Sequence, residues 1–536
     1  MIPLRKRGMA LLSVLIVLFF SNTALAAEKG RFQLEEATIA SIHAAMRAGD
    51  LTCRDLVKMY LDRIEAYDRK GPKINSVIEV NPDALTIADS LDAKFAKGGF
   101  TGPLHGIPVI LKDNYDTADK MTTTAGSRVM EGFIATKDAF LVKKLRDAGA
   151  IILGKGNMDE WAHGGERSGY SSRWGQTLNP YKLNRVPLGS SGGPAAAVAA
   201  NFAVIGMGTD TFGSIRNPSA GNCLVGIKPT RGLTGRSGIV PFSLNYDVAG
   251  PMIRTVADAA ITLGVLTGID PKDPHTFDSV GKVHKDYMPF LKSDGLKGSR
   301  LGVLRFYSGK NEDVDKAFNA SIEIMKKGGA TIVDPVHLPE EVLTNLADIY
   351  ATISDLDFKW HLAEYLATHG GKAPVKTLSE VIAISKILAY TQSPVDKTVF
   401  ERIKKAEERG PLTDPFYLRT LEYGPAMVKN AILKILNDHH LDAIIFPTNS
   451  CPPRPVHSIK DPDYKCGSGL VNQGGLASHS GFPQIFCPAG FTTDGLPVSI
   501  SFLGPAYSEP ILLRLAYSYE QGTRHRRPPK SAPPLK

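Results

Sequence analysis

Three stretches of the chain gather side chains that could do chemistry together. In the first, Lys112-Asp113-Asn114 follows the apolar run Gly106-Ile-Pro-Val-Ile-Leu111. In the second, Gly189-Ser190-Ser191-Gly192-Gly193 precedes an alanine-rich segment. In the third, Gly208-Thr-Asp-Thr-Phe-Gly-Ser214-Ile-Arg216 follows the apolar run Phe202-Ala-Val-Ile-Gly-Met207. Taken singly, these read as a surface lysine, a flexible loop and a turn. Together they describe a nucleophilic serine that works without histidine. A serine hydroxyl needs a base to become a nucleophile. A lysine amine can serve if burial disfavours its charged form and brings its pKa down from about 10.4. A second serine could carry the proton between the two. Small residues after a strand also leave successive backbone N–H groups bare, which makes a nest for negative charge beside Ser214.

The same residues carry a specific resemblance. Lys112, the Gly189–Gly193 loop and the Gly208–Arg216 stretch resemble the amidase signature family of Ser-cisSer-Lys hydrolases. Ser190 and Ser214 are 24 positions apart, the interval between that family's bridging and nucleophilic serines. Further blocks are similar in order: Leu104-His-Gly-Ile-Pro-Val-Ile-Leu-Lys-Asp-Asn114, Val225-Gly-Ile-Lys-Pro-Thr230, Ala249-Gly-Pro-Met252 and Gly495-Leu-Pro-Val-Ser499. Thr123-Thr-Ala-Gly-Ser127 and Gly175-Gln-Thr-Leu-Asn-Pro180 are most similar to the branch that contains bacterial peptide amidases.

The resemblance implies roles. Ser214 would be the acyl-forming nucleophile, Ser190 the proton relay held in a cis peptide, and Lys112 the ultimate base. The backbone N–H groups of Thr211, Phe212, Gly213 and Ser214 would form the oxyanion hole, with Gly189, Ser191, Gly192 and Gly193 as the supporting loop. No cofactor or metal is implied, and the substrate would be a small-molecule or peptide amide. Two positions depart from the family pattern. Phe212 stands where many members carry glycine, which keeps the N–H but adds a ring that could narrow a pocket. Pro194 stands where serine is commoner. Asp210 and Arg216 are placed to pair across the turn.

Two other readings compete. Gly189-Ser-Ser191-Gly-Gly193 also matches the G-x-S-x-G elbow of α/β-hydrolases, with Ser191 as nucleophile and His163-Gly164-Gly165 mimicking their oxyanion motif. That reading needs a strand before the elbow, but residues 181–188 contain Pro187, and neither His457 nor His479 has a convincing setting. The third reading is a non-catalytic, amidase-like binding protein.

The elements that must position these residues follow an α/β rhythm. Short apolar runs at 106–111, 150–153, 202–208, 301–304, 330–333, 443–446, 484–487 and 498–502 predict strands. They alternate with helical patterns near 35–48, 53–64, 140–148, 192–200, 256–266 and 508–521. This predicts one catalytic domain over 27–523 with a largely parallel or mixed sheet. The resemblance makes that a large twisted mixed sheet with helices on both faces. Residues 340–438 read as a mostly helical insertion or cover. With residues near 115–130 and 450–480 they would line the substrate pocket.

The ends read differently. Arg5-Lys6-Arg7, the apolar stretch from Met9 to Phe20 and Ala24-Leu25-Ala26 form a secretory signal pattern over residues 1–26, which predicts export to the periplasm or beyond. The tail 524–536 is basic and proline-rich and is expected to be disordered. The 536 residues carry a formal charge of +9, and losing the three basic leader residues leaves +6. The basic residues are otherwise scattered, so nucleic acid is not an expected partner. Five cysteines do not make a disulfide scaffold, although Cys451 and Cys466 could close a short loop in an oxidising compartment. The 13 histidines show no zinc spacing.

Overall fold

The computed structural model describes residues 32–535, apart from 392, 465 and 467–473. The expected leader lies outside the described residues. Eleven strands form one mixed sheet: β1 (Val77–Val80), β2 (Pro108–Lys112), β3 (Ile151–Gly156), β4 (Ile205–Asp210), β5 (Val225–Lys228), β6 (Val248–Ile253), β7 (Arg300–Leu304), β8 (Thr331–Val336), β9 (Ala443–Pro447), β10 (Gln484–Phe491) and β11 (Pro497–Leu503). Their order across the sheet is β1-β3-β2-β4-β6-β5-β10-β11-β9-β7-β8. The β3-β2-β4 and β9-β7-β8 neighbours run parallel, and every other pair is antiparallel.

Every residue of β2, β3, β4, β6, β9 and β11 is buried, so these strands are covered on both faces. That is why most of them read in sequence as continuous apolar runs and not as alternating ones. The helices that cover them show the complementary pattern. Cys53–Arg63 buries Leu56, Val57 and Tyr60, and its Thr52 side chain caps it by accepting from the Asp55 N–H. Each such cap supplies about 0.5–2 kcal/mol to a helix start. The fold class expected from the sequence is the one observed.

The expected helical block resolves into Glu340–Ala367, Leu378–Leu388, Lys397–Glu407 and Pro415–Asp438. Tyr365 from its first helix donates to Asp116 Oδ1 at 2.7 Å, and Asp357 accepts from Ser243 and Asn245. The block is thereby fixed to the loops at the carboxyl ends of β2 and β5. Cys451 and Cys466 are disulfide-bonded, and Cys53, Cys223 and Cys487 are free and buried. Among the described residues no helix is long and apolar enough to cross a membrane.

The expectation of a disordered tail does not hold. Arg526 makes a two-pronged pair with Glu36 at 3.0 and 2.8 Å and donates to the Ala199 carbonyl. Burial pushes the Glu36 carboxyl up, but Arg526 overcomes this and holds it down at about 2. Further along, Arg63 donates to the carbonyls of Ala532 and Pro533. Composition marks this tail as unable to build a core. It does not reveal that Arg526 pairs with Glu36 or that the buried Arg63 holds the carbonyls of Ala532 and Pro533.

Candidate active site

Adjacent parallel strands bring the first and third stretches together. β2 and β4 pair in register, Leu111 opposite Met207, so Lys112 and Thr209 emerge side by side at the same carboxyl edge. Such edges are where α/β sheets place their sites. Lys112 is fully buried. Its Nζ lies 2.7 Å from Ser190 Oγ and 2.8 Å from Thr209 Oγ1. Burial brings its pKa down to about 7, against the upward pull of Asp159, Asp210 and Asp247. Near neutrality the amine is therefore partly uncharged and able to accept a proton.

Ser190 sits on a loop shaped by its neighbours. The Gly189–Ser190 peptide bond is cis. The Asp159 N–H donates to the Ser190 carbonyl at 3.0 Å. A Cβ at Gly189 would fall 2.2 Å from Asp159 Oδ2, so a larger residue there would have to displace the Asp159 carboxylate. The following Gly192–Ala199 helix is buried throughout, and its Gly193 N–H donates to the Asn157 carbonyl at 2.8 Å. These contacts give Gly189, Gly192 and Gly193 a close-packing role.

Ser191 is placed differently from Ser190. Its buried hydroxyl donates to the Thr209 carbonyl at 3.2 Å and accepts from the Thr209 N–H. Its own N–H donates to the Ser214 carbonyl at 3.2 Å, which ties the second stretch to the third. The α/β-hydrolase reading fails on these contacts. Ser191 is tied to backbone, residues 181–188 form no strand, and His163 is held by the Trp161 carbonyl between Phe242 and Phe358.

The turn after β4 is organised by Asp210. Its carboxylate accepts from the N–H groups of Gly213 at 2.8 Å and Ile215 at 2.9 Å, and from Arg216 Nη2 at 2.7 Å. Burial raises its pKa, but the Arg216 guanidinium and these N–H groups outweigh that and hold it at about 2. The expected Asp210–Arg216 pair is present and fully buried. Arg216 also reaches Ser478 and Gln484. Gly213 adopts φ 113°, a conformation that side chains resist.

This arrangement corrects one expectation. The Gly213 N–H cannot serve an oxyanion, because Asp210 already holds it. Among the described residues, the N–H groups of Thr211 and Ser214 and the Ser214 hydroxyl have no hydrogen-bond partner. Ser214 itself is half-buried. The Thr211 side chain points away to Asp247 Oδ1 at 2.6 Å. The Phe212 ring stacks on Tyr350 at 4.1 Å and meets His479 edge-on at 5.8 Å. It therefore joins the turn to the helical block. Among the described residues no group of three or more His, Cys, Asp or Glu side chains is placed to hold a metal ion.

Sequence reasoning missed Thr209, Asn114, Asp159 and Tyr350. Thr209 and Asn114 stand inside the quoted stretches, but nothing in their spacing shows that they meet. Tyr350 is 138 positions from Phe212 and carries no motif.

A lysine buried behind a serine pair, on this sheet, defines a class of hydrolase, and comparison with known proteins gives the same class. The amidase family model matches residues 55–513. The structure is similar to that of native peptide amidase from Stenotrophomonas maltophilia, with a TM-score of 0.85 and 40% identity over 92% of this chain and 98% of that one. A relative from Arabidopsis thaliana named "Probable amidase" is 37% identical over 93% of this chain and 92% of its own length. A glutamyl-tRNA(Gln) amidotransferase component from Carboxydothermus hydrogenoformans is 35% identical over 90% of this chain and 97% of its own. The chain belongs to the amidase family. It is an enzyme, a hydrolase of amide bonds.

Proposed function

We propose that this amidase cleaves a carboxylic acid amide through an acyl-enzyme on Ser214 and works outside the cytoplasm. The observation that carries the mechanism is the 2.7 Å contact between buried Lys112 and Ser190. Neutral Lys112 accepts the Ser190 proton while Ser190 takes the proton of Ser214. The freed Ser214 oxygen attacks the amide carbon, and the oxyanion forms beside the N–H groups of Thr211 and Ser214. Preorganised donors of this kind are usually the largest single catalytic contribution. The carbon–nitrogen bond then breaks, and the proton held on Lys112 returns through Ser190 to the leaving nitrogen, releasing ammonia from a primary amide. Water repeats the sequence on the ester and gives the acid and free Ser214.

Peptide amides are the first substrate class to test. The similarity to a peptide amidase over nearly the whole chain supports this choice. So does the aromatic surface of Phe212 and Tyr350 beside the turn, which suits an amide with an apolar acyl part. The leader pattern in residues 1–26 supports export, as does the Cys451–Cys466 bond, since disulfides persist in oxidising compartments.

Ammonia release from a panel of peptide, aliphatic and aryl primary amides tests the activity. Ser214→Ala is expected to lower release at least 10³-fold, roughly the scale set by losing a nucleophile. Release by Ser214→Ala at the wild-type rate would overturn the assignment. N-terminal sequencing of the exported protein tests the address: the reading expects Ala27, and an intact Met1 in the cytoplasmic fraction contradicts it.

A further inference from the structure

We infer that Arg526 is a positioning residue: it ties together the trailing ends of the two short helices that follow Ser191 and Ser214, and so fixes the Ser190 loop against the Ser214 turn. The inference rests on the reading of Ser190 as relay and Ser214 as nucleophile.

The Gly192–Ala199 helix starts directly after Ser191, and the Arg216–Gly221 helix starts two residues after Ser214. At their leading ends the Ser191 N–H donates to the Ser214 carbonyl at 3.2 Å. At their trailing ends Arg526 joins them. Its Nη2 donates to the Ala199 carbonyl at 2.9 Å, and its Nη1 to the carbonyls of Asn222 and Cys223 at 3.4 and 3.2 Å. Carbonyls at a helix C-terminus lack partners within the helix and carry partial negative charge, so a cation placed there is attracted to both ends.

A shorter route leads from Arg526 to Ser190. The Asn222 backbone that Arg526 holds carries a buried carboxamide, whose Nδ2 donates to the carbonyls of Pro187 and Pro218, each at 2.7 Å. Both acceptors are carbonyls, which can only accept, so the amide nitrogen is fixed on that side. Pro187 lies three positions before Ser190, and Pro218 four positions after Ser214. Asn222 thus sews the loop of one serine to the helix of the other.

The contacts match a guanidinium and not an ammonium, five N–H groups against three. Nε and Nη2 donate to Glu36 at 3.0 and 2.8 Å, and Nη2 also donates to Ala199. Nη1 donates to the Tyr181 hydroxyl at 2.6 Å as well as to the two carbonyls. The Tyr181 hydroxyl passes its own hydrogen to the Arg527 carbonyl at 2.5 Å and so accepts from Arg526. Glu36 balances the charge, and the Arg526 side chain is only 12% exposed.

The test is fluorophosphonate labelling of Ser214 in the full-length protein, above the pH at which Lys112 is charged. Rate constant and end point are read separately. The end point counts folded sites, and the rate constant reports how well each is aligned. Arg526→Met is expected to lower the rate constant about 10- to 100-fold, the scale on which a remote change misplaces reacting groups. Asn222→Ala should do the same. Arg526→Lys keeps the charge beside Glu36 but loses the fork, so it should recover the end point more fully than the rate constant. A merely structural role would lower the end point and leave the rate constant at the wild-type value. A wild-type rate constant in Arg526→Met or Asn222→Ala, alongside a poorly labelled Lys112→Ala, overturns the positioning role and leaves the lysine mechanism standing. Lys112→Ala labelled at the wild-type rate removes the mechanism itself. If Arg526→Met does not fold, Arg526→Lys carries the test: a wild-type rate constant there overturns the inference.

Discussion

Lys112 Nζ and Ser190 Oγ, both buried, meet at 2.7 Å although they are 78 residues apart in the chain. Burial disfavours the charged amine and brings its pKa down to about 7. Activity should therefore rise through a single-proton limb centred near pH 7 and hold above it. The check is kcat/KM against pH on any turned-over amide. A flat profile down to pH 5 would contradict a neutral-lysine base.

The same burial makes Lys112 costly to the fold. Its folded pKa lies below its unfolded value, so the unfolded chain binds more protons between about pH 7 and pH 10.4, and stability rises with pH across that window. Lys112→Met should be inactive yet melt at a higher temperature than wild type at pH 7, with the gap narrowing towards pH 10. Thermal unfolding at the two pH values measures this.

Asp210 and Arg216 are both fully buried and hold the Ser214 turn through one carboxylate. Removing one member of a buried pair leaves the other uncompensated, at a cost of about 3–5 kcal/mol. Arg216→Met should lose stability on that scale in urea and lose labelling with it. The Asp210 pKa is about 2 in the fold, below its unfolded value. Its contribution is thus complete above about pH 4 and fails only as pH falls towards 2. The activity limb near pH 7 belongs to Lys112 and not to this pair.

Phe212 stacks on Tyr350, and aromatic pairs of this kind supply about 0.5–1.5 kcal/mol beyond their buried area. Tyr350→Ala should leave the protein folded and change the ranking of amides by acyl size. Rates on bulky acyl groups should rise relative to small ones. Measurement of kcat/KM on a series of amides of increasing size decides it, and an unchanged ranking would separate Phe212 from substrate choice.

What can be read from the sequence divides along physical lines. The buried strands β2, β3 and β4 begin as apolar runs, and the polar residues that end β2 and β4 announce the site. β6 does not read as a strand, because Gly250 and Pro251 interrupt Val248–Ile253, yet it pairs with β4 along its whole length. The spacing of Lys112, Ser190 and Ser214 supports the reading of a serine pair and a lysine. It cannot show that the Gly213 N–H is spent on Asp210, since that depends on the turn closing back on its own strand. Nor can it show Thr209 and Asn114 meeting, which needs β2 and β4 in register. The tail misleads because Arg526 and Glu36 are 490 positions apart, and no local pattern joins them.

The most direct measurement is the site of a fluorophosphonate adduct, mapped by fragment-ion mass spectrometry in wild type and in Lys112→Ala. Fragment mapping is needed because cleavage at Arg185 and Arg216 leaves Ser190, Ser191 and Ser214 on one peptide. The expected result is an adduct on Ser214 in wild type that is lost in Lys112→Ala. An adduct on Ser191 or Ser190, or equal labelling of Ser214 without the lysine, would contradict it.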